Sequence, residues 1–136
     1  MVKIDLEYLG DLRMQAQHGP SGVQLHTDAP VDNQGKGESF SPTDLVATGL
    51  GACMATIMGI VARRQDVDLR GMQVEVEKIM SQDTPRRIAT LKVNFRIPVK
   101  PEADKIQALE NAAHTCPVAK SLHPDIRVET HFTWGN

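Results

Sequence analysis

Hydrophobic residues recur along this chain in two rhythms. Val2, Ile4, Leu6 and Tyr8 fall on alternate positions of residues 2–8, the period of a strand with one covered face. A turn at Leu9-Gly10-Asp11 follows, then Leu12, Met14 and Ala16 alternate with Arg13, Gln15 and Gln17. The cluster His18-Gly19-Pro20-Ser21-Gly22 predicts a second turn and Val23–Asp28 a third strand, which together make an antiparallel meander. On the far side of the chain's midpoint, Met72, Val74, Val76 and Met80 alternate with mostly charged neighbours, and Ser81–Pro85 turns. Ala89, Leu91, Val93, Phe95 and Ile97 then share one face, and Ile126, Val128, Phe132 and Trp134 close the pattern as a final strand.

Between these groups the rhythm changes. The 18 residues from Leu45 to Ala62 carry no charge. Ser41 stands at an N-cap position, Pro42 at the first helical position and Asp44 where a capping pair with Ser41 forms, so a helix is predicted from Pro42 to about Arg64. At 1.5 Å per residue it would be roughly 35 Å long. A helix apolar on every side is expected to be buried on every side. A membrane span is not expected: Gly49, Gly51, Gly59, Thr48 and Thr56 dilute the apolarity and suggest close packing inside a core. The polar stretch 29–40, which includes Gly35 and Gly37, predicts a functional or mobile loop leading into this helix. A second helix is predicted from near Pro101 to about Ala113, with Ile106, Leu109 and Ala113 as its stripe, and a short third one from Pro117 with Cys116 as its N-cap.

The resulting order predicts one α+β domain over residues 1–136, with a three-stranded antiparallel group on each side of the long helix. Two sheets and a wholly apolar helix present more apolar surface than so short a chain covers alone, so a homodimer is predicted. A net charge of −2 gives no electrostatic case for nucleic acid or a membrane surface, and Arg63-Arg64 and Arg86-Arg87 are isolated pairs. The N-terminal residues lack the apolar core of a signal peptide, which favours a cytoplasmic location, where two cysteines are not a disulfide scaffold.

Chemistry centres on those cysteines. Cys116, at a helix N-terminus, has the more explicit local activation and is expected to have a lowered pKa. Cys53 lies too far along its helix for the dipole to act; on residue type alone it is a small buried apolar residue, and as a nucleophile it would need a partner charge such as an arginine. His114, Cys116 and His123 lack the spacing of a metal site, so no metal is expected, and His18 and His26 lie in or beside turns. Met54, Ile57 and Met58 are candidates to line an apolar pocket beside Cys53.

The stretch SPTDLVATGLGACM, with HTCPVAKSL some sixty residues later, resembles the OsmC/Ohr family of organic hydroperoxide reductases, and its OsmC-like branch most closely. The resemblance implies an OsmC-like fold and an intertwined homodimer whose two subunits line each active site. It implies that Cys53 is the peroxidatic thiolate, oxidised to a sulfenic acid by an organic hydroperoxide, and that Cys116 is the resolving thiol that condenses with it to a disulfide. It further implies an external dithiol reductant such as dihydrolipoamide, no bound cofactor, and an N-terminal arginine holding the thiolate, for which Arg13 is the candidate. Where the family carries an acidic residue directly after the helix-start proline, this chain has Thr43, with Asp44 next as the candidate acid. The alternative is a non-catalytic dimer of the same fold that senses oxidants or holds a small apolar ligand.

Overall fold

The computed structural model describes residues 1–135. The chain divides into two compact units, Met1–Val46 and the residues from Ala47 on.

In the first unit, β1 (Ile4–Gly10), β2 (Arg13–His18) and β3 (Gln24–Asp28) form an antiparallel sheet in sequence order. The β1–β2 hairpin turns at Asp11 and Leu12, with φ of 52° and 63°. Two successive left-handed residues match the right-handed twist of the strands they join. Leu12 therefore sits in the turn, whereas its spacing from Met14 and Ala16 predicts a strand residue. Ile4, Leu6 and Tyr8 lie opposite His18, Ala16 and Met14 on one sheet face. That face was expected to be half covered, yet Ile4, Leu6 and Tyr8 are 58%, 59% and 61% exposed in the single chain. The loop that follows is built rather than loose. It carries a 3₁₀ turn (Val31–Asn33) and folds back on β3 through Gly37 N–H to Ala29 O at 3.2 Å and Asp28 N–H to Phe40 O at 3.0 Å. A Cβ on Gly35 would lie 1.8 Å from the Ala29 carbonyl oxygen, so only glycine fits that approach.

Helix α1 (Pro42–Arg64) begins as its capping residues predict. Asp44 N–H donates to Ser41 Oγ at 3.1 Å, and Ser41 N–H donates to Asp44 Oδ2 at 2.9 Å. Along the rest of the helix, burial is one-sided. Ala47, Leu50, Gly51, Met54, Met58 and Ala62 are buried, while Val46 and Ile60 are 37% and 44% exposed. The expected burial on every side is thus met on one face.

In the second unit that buried face joins a core with the sheet of β4 (Gln73–Met80), β5 (Ile88–Ile97) and β6 (Arg127–Trp134). Leu91, Val93 and Phe95 of β5 are wholly buried there. Helix and sheet approach so closely that a Cβ on Gly51 would lie 2.7 Å from Val76 Cγ2. The β4–β5 pair is antiparallel, but β6 runs parallel to β5, pairing Leu91 with Val128 and Phe95 with Phe132. The expectation of two antiparallel sheets holds for the first sheet and is corrected for the second. Alternation reports which residues share a face and says nothing of strand direction. Direction is set by the connection, which here contains α2 (Ala103–Ala113) and α3 (Pro117–Ser121) and returns the chain to the same end of the sheet. Phe95 and Phe132 stack with ring centroids 4.7 Å apart across that parallel pair.

Candidate active site

Cys53 lies midway along α1, between the buried row of Leu50 and Met54 and the exposed Ala52 and Thr56, and is itself partly exposed. Gly49, one turn earlier on the same face, has nothing among the described residues, beyond its own stretch of helix backbone, within 4 Å of where a Cβ would stand. The helix surface beside the thiol is therefore small and open. Met54 and Met58, expected as pocket-lining candidates, are fully buried in the core; Ile57 is the one of the three that keeps partial exposure.

Cys116 is the N-cap of α3, with Pro117 at its first position, as its local sequence predicts. Its Sγ accepts the Ala119 N–H at 3.2 Å, and the side chain is wholly buried. Its thiol lies near enough to Cys53 for the two groups to interact, and both sulfurs are free thiols. The expectation of a lowered Cys116 pKa is overturned. Burial pushes it up most strongly; the Ala119 N–H pulls it down, and the neighbouring Cys53 pushes it up again. A helix of five residues cannot offset the desolvation of a sulfur with no solvent contact.

Arg13 opens β2 and lies directly opposite Asp28, the last residue of β3. Asp28 is 1% exposed. Its Oδ2 lies 3.6 Å from Arg13 Nη2 and accepts the backbone N–H of Glu38 at 3.0 Å. The Glu38 side chain turns back to accept a hydrogen bond from the same Arg13 Nη2. Arg13 is thus held by two carboxylates, neither of which emerges from motif reasoning. Asp28 was within reach of the sequence, because a hairpin centred on the 18–22 turn pairs residue 13 with residue 28. Glu38 left no comparable signal, since loop geometry alone brings it back to the strand.

Asp44, the candidate acid, holds Ser41 N–H in the capping box, and Thr43 Oγ1 lies 3.3 Å from Ser41 Oγ. Of the histidines, His18 pairs with Ser21 in a turn at 2.6 Å, His123 accepts the Asp125 N–H at 3.0 Å, and His114 stands edge-on to Phe132. The second unit thus brings together the two cysteines, and the first brings together Arg13, Asp28 and Glu38.

Residues 35–131 match the family described as OsmC-like protein. Among solved structures, a Psychrobacter arcticus 273-4 protein, provisionally named an osmotic stress induced and detoxification response protein, is 46% identical. That match covers 98% of this chain and 96% of the other, at a TM-score of 0.92. The organic hydroperoxide resistance protein OsmC of Legionella pneumophila is 19% identical, with 98% and 96% covered and a TM-score of 0.74. An organic hydroperoxide resistance protein from Elizabethkingia anophelis, with thiocyanate bound, is 16% identical, with 100% and 96% covered and a TM-score of 0.78. These last two share the fold. No curated protein matches the chain.

Proposed function

Because the chain belongs to the OsmC-like protein family, we propose that it is a thiol-dependent peroxidase that reduces organic hydroperoxides to alcohols. One observation carries this reading: a partly exposed thiol, Cys53, lies near enough to a buried one, Cys116, for the two to interact. The hydroperoxide resistance names of the Legionella and Elizabethkingia proteins agree with it.

In the proposed cycle the Cys53 thiolate attacks one oxygen of ROOH. The O–O bond breaks, the departing alkoxide takes up a proton to leave as ROH, and Cys53 becomes a sulfenic acid. Cys116 then attacks that sulfur, a disulfide forms and water leaves. An external dithiol, dihydrolipoamide for example, restores both thiols and is itself oxidised to a cyclic disulfide. Sulfur supplies both electrons, so the scheme uses no metal or bound cofactor.

The unequal environments favour that order of events. Cys116 is kept protonated by burial and by its neighbour, which guards it from direct oxidation. Oxidation of Cys53 to a neutral sulfenic acid removes the part of that upward push owed to negative charge on Cys53. Cys116 thus becomes easier to deprotonate at the moment its electrophile appears.

Arg13 is the proposed partner charge for the Cys53 thiolate. The active unit is proposed to be a homodimer in the cytoplasm, with each site lined by both subunits. Asp44 fits a helix-starting role better than a catalytic one, given its place in the capping box.

Substitution tests the assignment. Cys53→Ser is expected to abolish turnover of cumene hydroperoxide with dihydrolipoamide. Cys116→Ser is expected to complete one round and stall as a sulfenic acid that dimedone captures. Wild-type turnover by Cys53→Ser would refute the peroxidase, whereas an inert Cys116→Ser would reverse the two roles.

A further inference from the structure

We propose that the hollow at the C-terminal end of α1 binds a zwitterionic α-amino acid with an apolar side chain. The hollow has a volume of about 550 Å³, a size common among small-molecule sites. Gly59, Ala62, Val67 and Leu69 give it an apolar floor, and charged side chains form its rim. Ala62 is 2% exposed, and Val67 and Leu69 are half-buried. At Gly59 the floor is open: nothing among the described residues, beyond its own stretch of helix backbone, lies within 4 Å of where a Cβ would stand.

The charges on the rim fall into two sets. Asp68 is engaged by Arg70: its Oδ2 accepts from Nη2 at 2.7 Å and Nε at 2.9 Å, and its Oδ1 accepts the Arg70 backbone N–H at 2.9 Å. That pair neutralises itself. Arg63 and Asp66 are of opposite sign and three residues apart, a spacing at which side chains on a helix meet. Here they form no ion pair with each other or with any other described residue. The backbone is the reason. Helix α1 ends at Arg64, the Gln65 and Val67 N–H groups both donate to Ala62 O at 3.0 and 2.9 Å, and Asp66 takes a φ of 55°. This left-handed residue turns the chain out of the helix, so Asp66 does not continue the row that begins at Arg63.

An occupant that complements this lining has an apolar body for the floor, an anion for Arg63 and a cation for Asp66. An α-amino acid carries both charged groups on one carbon, with its side chain beside them. A guanidinium holds a carboxylate by two parallel hydrogen bonds, and a carboxylate accepts from an ammonium by a charge-assisted one. A fatty acid would leave Asp66 unmatched, and an alkyl amine would leave Arg63 unmatched.

The experiment is calorimetric titration of the full-length protein with L-leucine and three analogues. L-leucinamide lacks the carboxylate, N-acetyl-L-leucine lacks the ammonium and glycine lacks the side chain. Saturable binding of L-leucine is expected at millimolar or lower concentration, with each analogue about tenfold weaker, since a hydrogen bond to a charged group contributes that much. Arg63→Gln is expected to bind L-leucine no better than L-leucinamide, and Asp66→Asn no better than N-acetyl-L-leucine. Gly59→Leu places a side chain in the open floor and is expected to abolish binding, with a melting temperature at or above that of wild type. No saturable heat from L-leucine overturns the proposal. Binding that all three substitutions leave unchanged overturns it too, as does glycine binding as tightly as L-leucine. A changed sedimentation mass in Gly59→Leu, with no L-leucine binding by wild type, would overturn it and assign the hollow to a contact between copies of the chain.

Discussion

Cys53 and Cys116 are the same residue type in two opposed settings. One stands at the edge of an exposed helix face, and the other lies under a helix N-terminus with no solvent contact. The pKa of Cys116 is raised, chiefly by burial and further by Cys53. The folded protein therefore keeps this proton at pH values where the unfolded chain has released it. Its stabilising contribution is complete below the ordinary thiol range and is lost as pH rises through that range towards the folded value. Urea midpoints of the reduced protein are expected to fall over this alkaline interval, and Cys116→Ser is expected to flatten the fall. An unchanged slope in that variant would show that Cys116 does not carry the linkage. The sequence showed Cys116 as an N-cap and Pro117 as the helix start, because capping is a local matter. It could not show the sign of the pKa shift, because desolvation depends on what the rest of the chain lays over the sulfur.

At the scale of elements, α1 and the 29–40 loop divide the work. The helix start was legible down to single atoms, and the Ser41–Asp44 pair forms as its spacing requires. The strand faces of β4 and β5 were equally plain, since a period of two survives any tertiary arrangement. The direction of β6 and the placement of Leu12 in a turn were not, because each depends on a connection rather than on a periodic run. The loop is the least legible element and the one with the most specific geometry. Gly35→Ala would bring a methyl group to 1.8 Å from the Ala29 carbonyl, a backbone atom that cannot swing aside. Overpacking of this kind is expected to cost about 1–3 kcal/mol, read as a lower urea midpoint. An unaltered midpoint would mean that the loop has more freedom than its hydrogen bonds indicate.

For the whole molecule, apolar pattern and observed burial disagree in two places. Ile4, Leu6 and Tyr8 keep the alternation of a covered face but are more than half exposed, and Val46 and Ile60 on α1 are also open. An exposed apolar sheet face commonly marks an interaction site. The proposed homodimer would supply the missing cover. Sedimentation equilibrium is expected to give the mass of two chains. Leu6→Glu, which places a charge on that face, is expected to give a folded monomer with little peroxidase activity. A wild-type monomer with full turnover would separate catalysis from assembly. Here the sequence was informative about which residues seek cover and silent about who provides it.

The most direct test of the proposed chemistry is a thiol count with intact mass on the reduced protein, after one equivalent of cumene hydroperoxide and, separately, of hydrogen peroxide. The account predicts rapid loss of both thiols with the loss of two hydrogen atoms per chain, faster with the organic peroxide. Survival of both thiols for minutes after either peroxide would contradict it, and the two sulfurs would then need a role other than peroxide reduction.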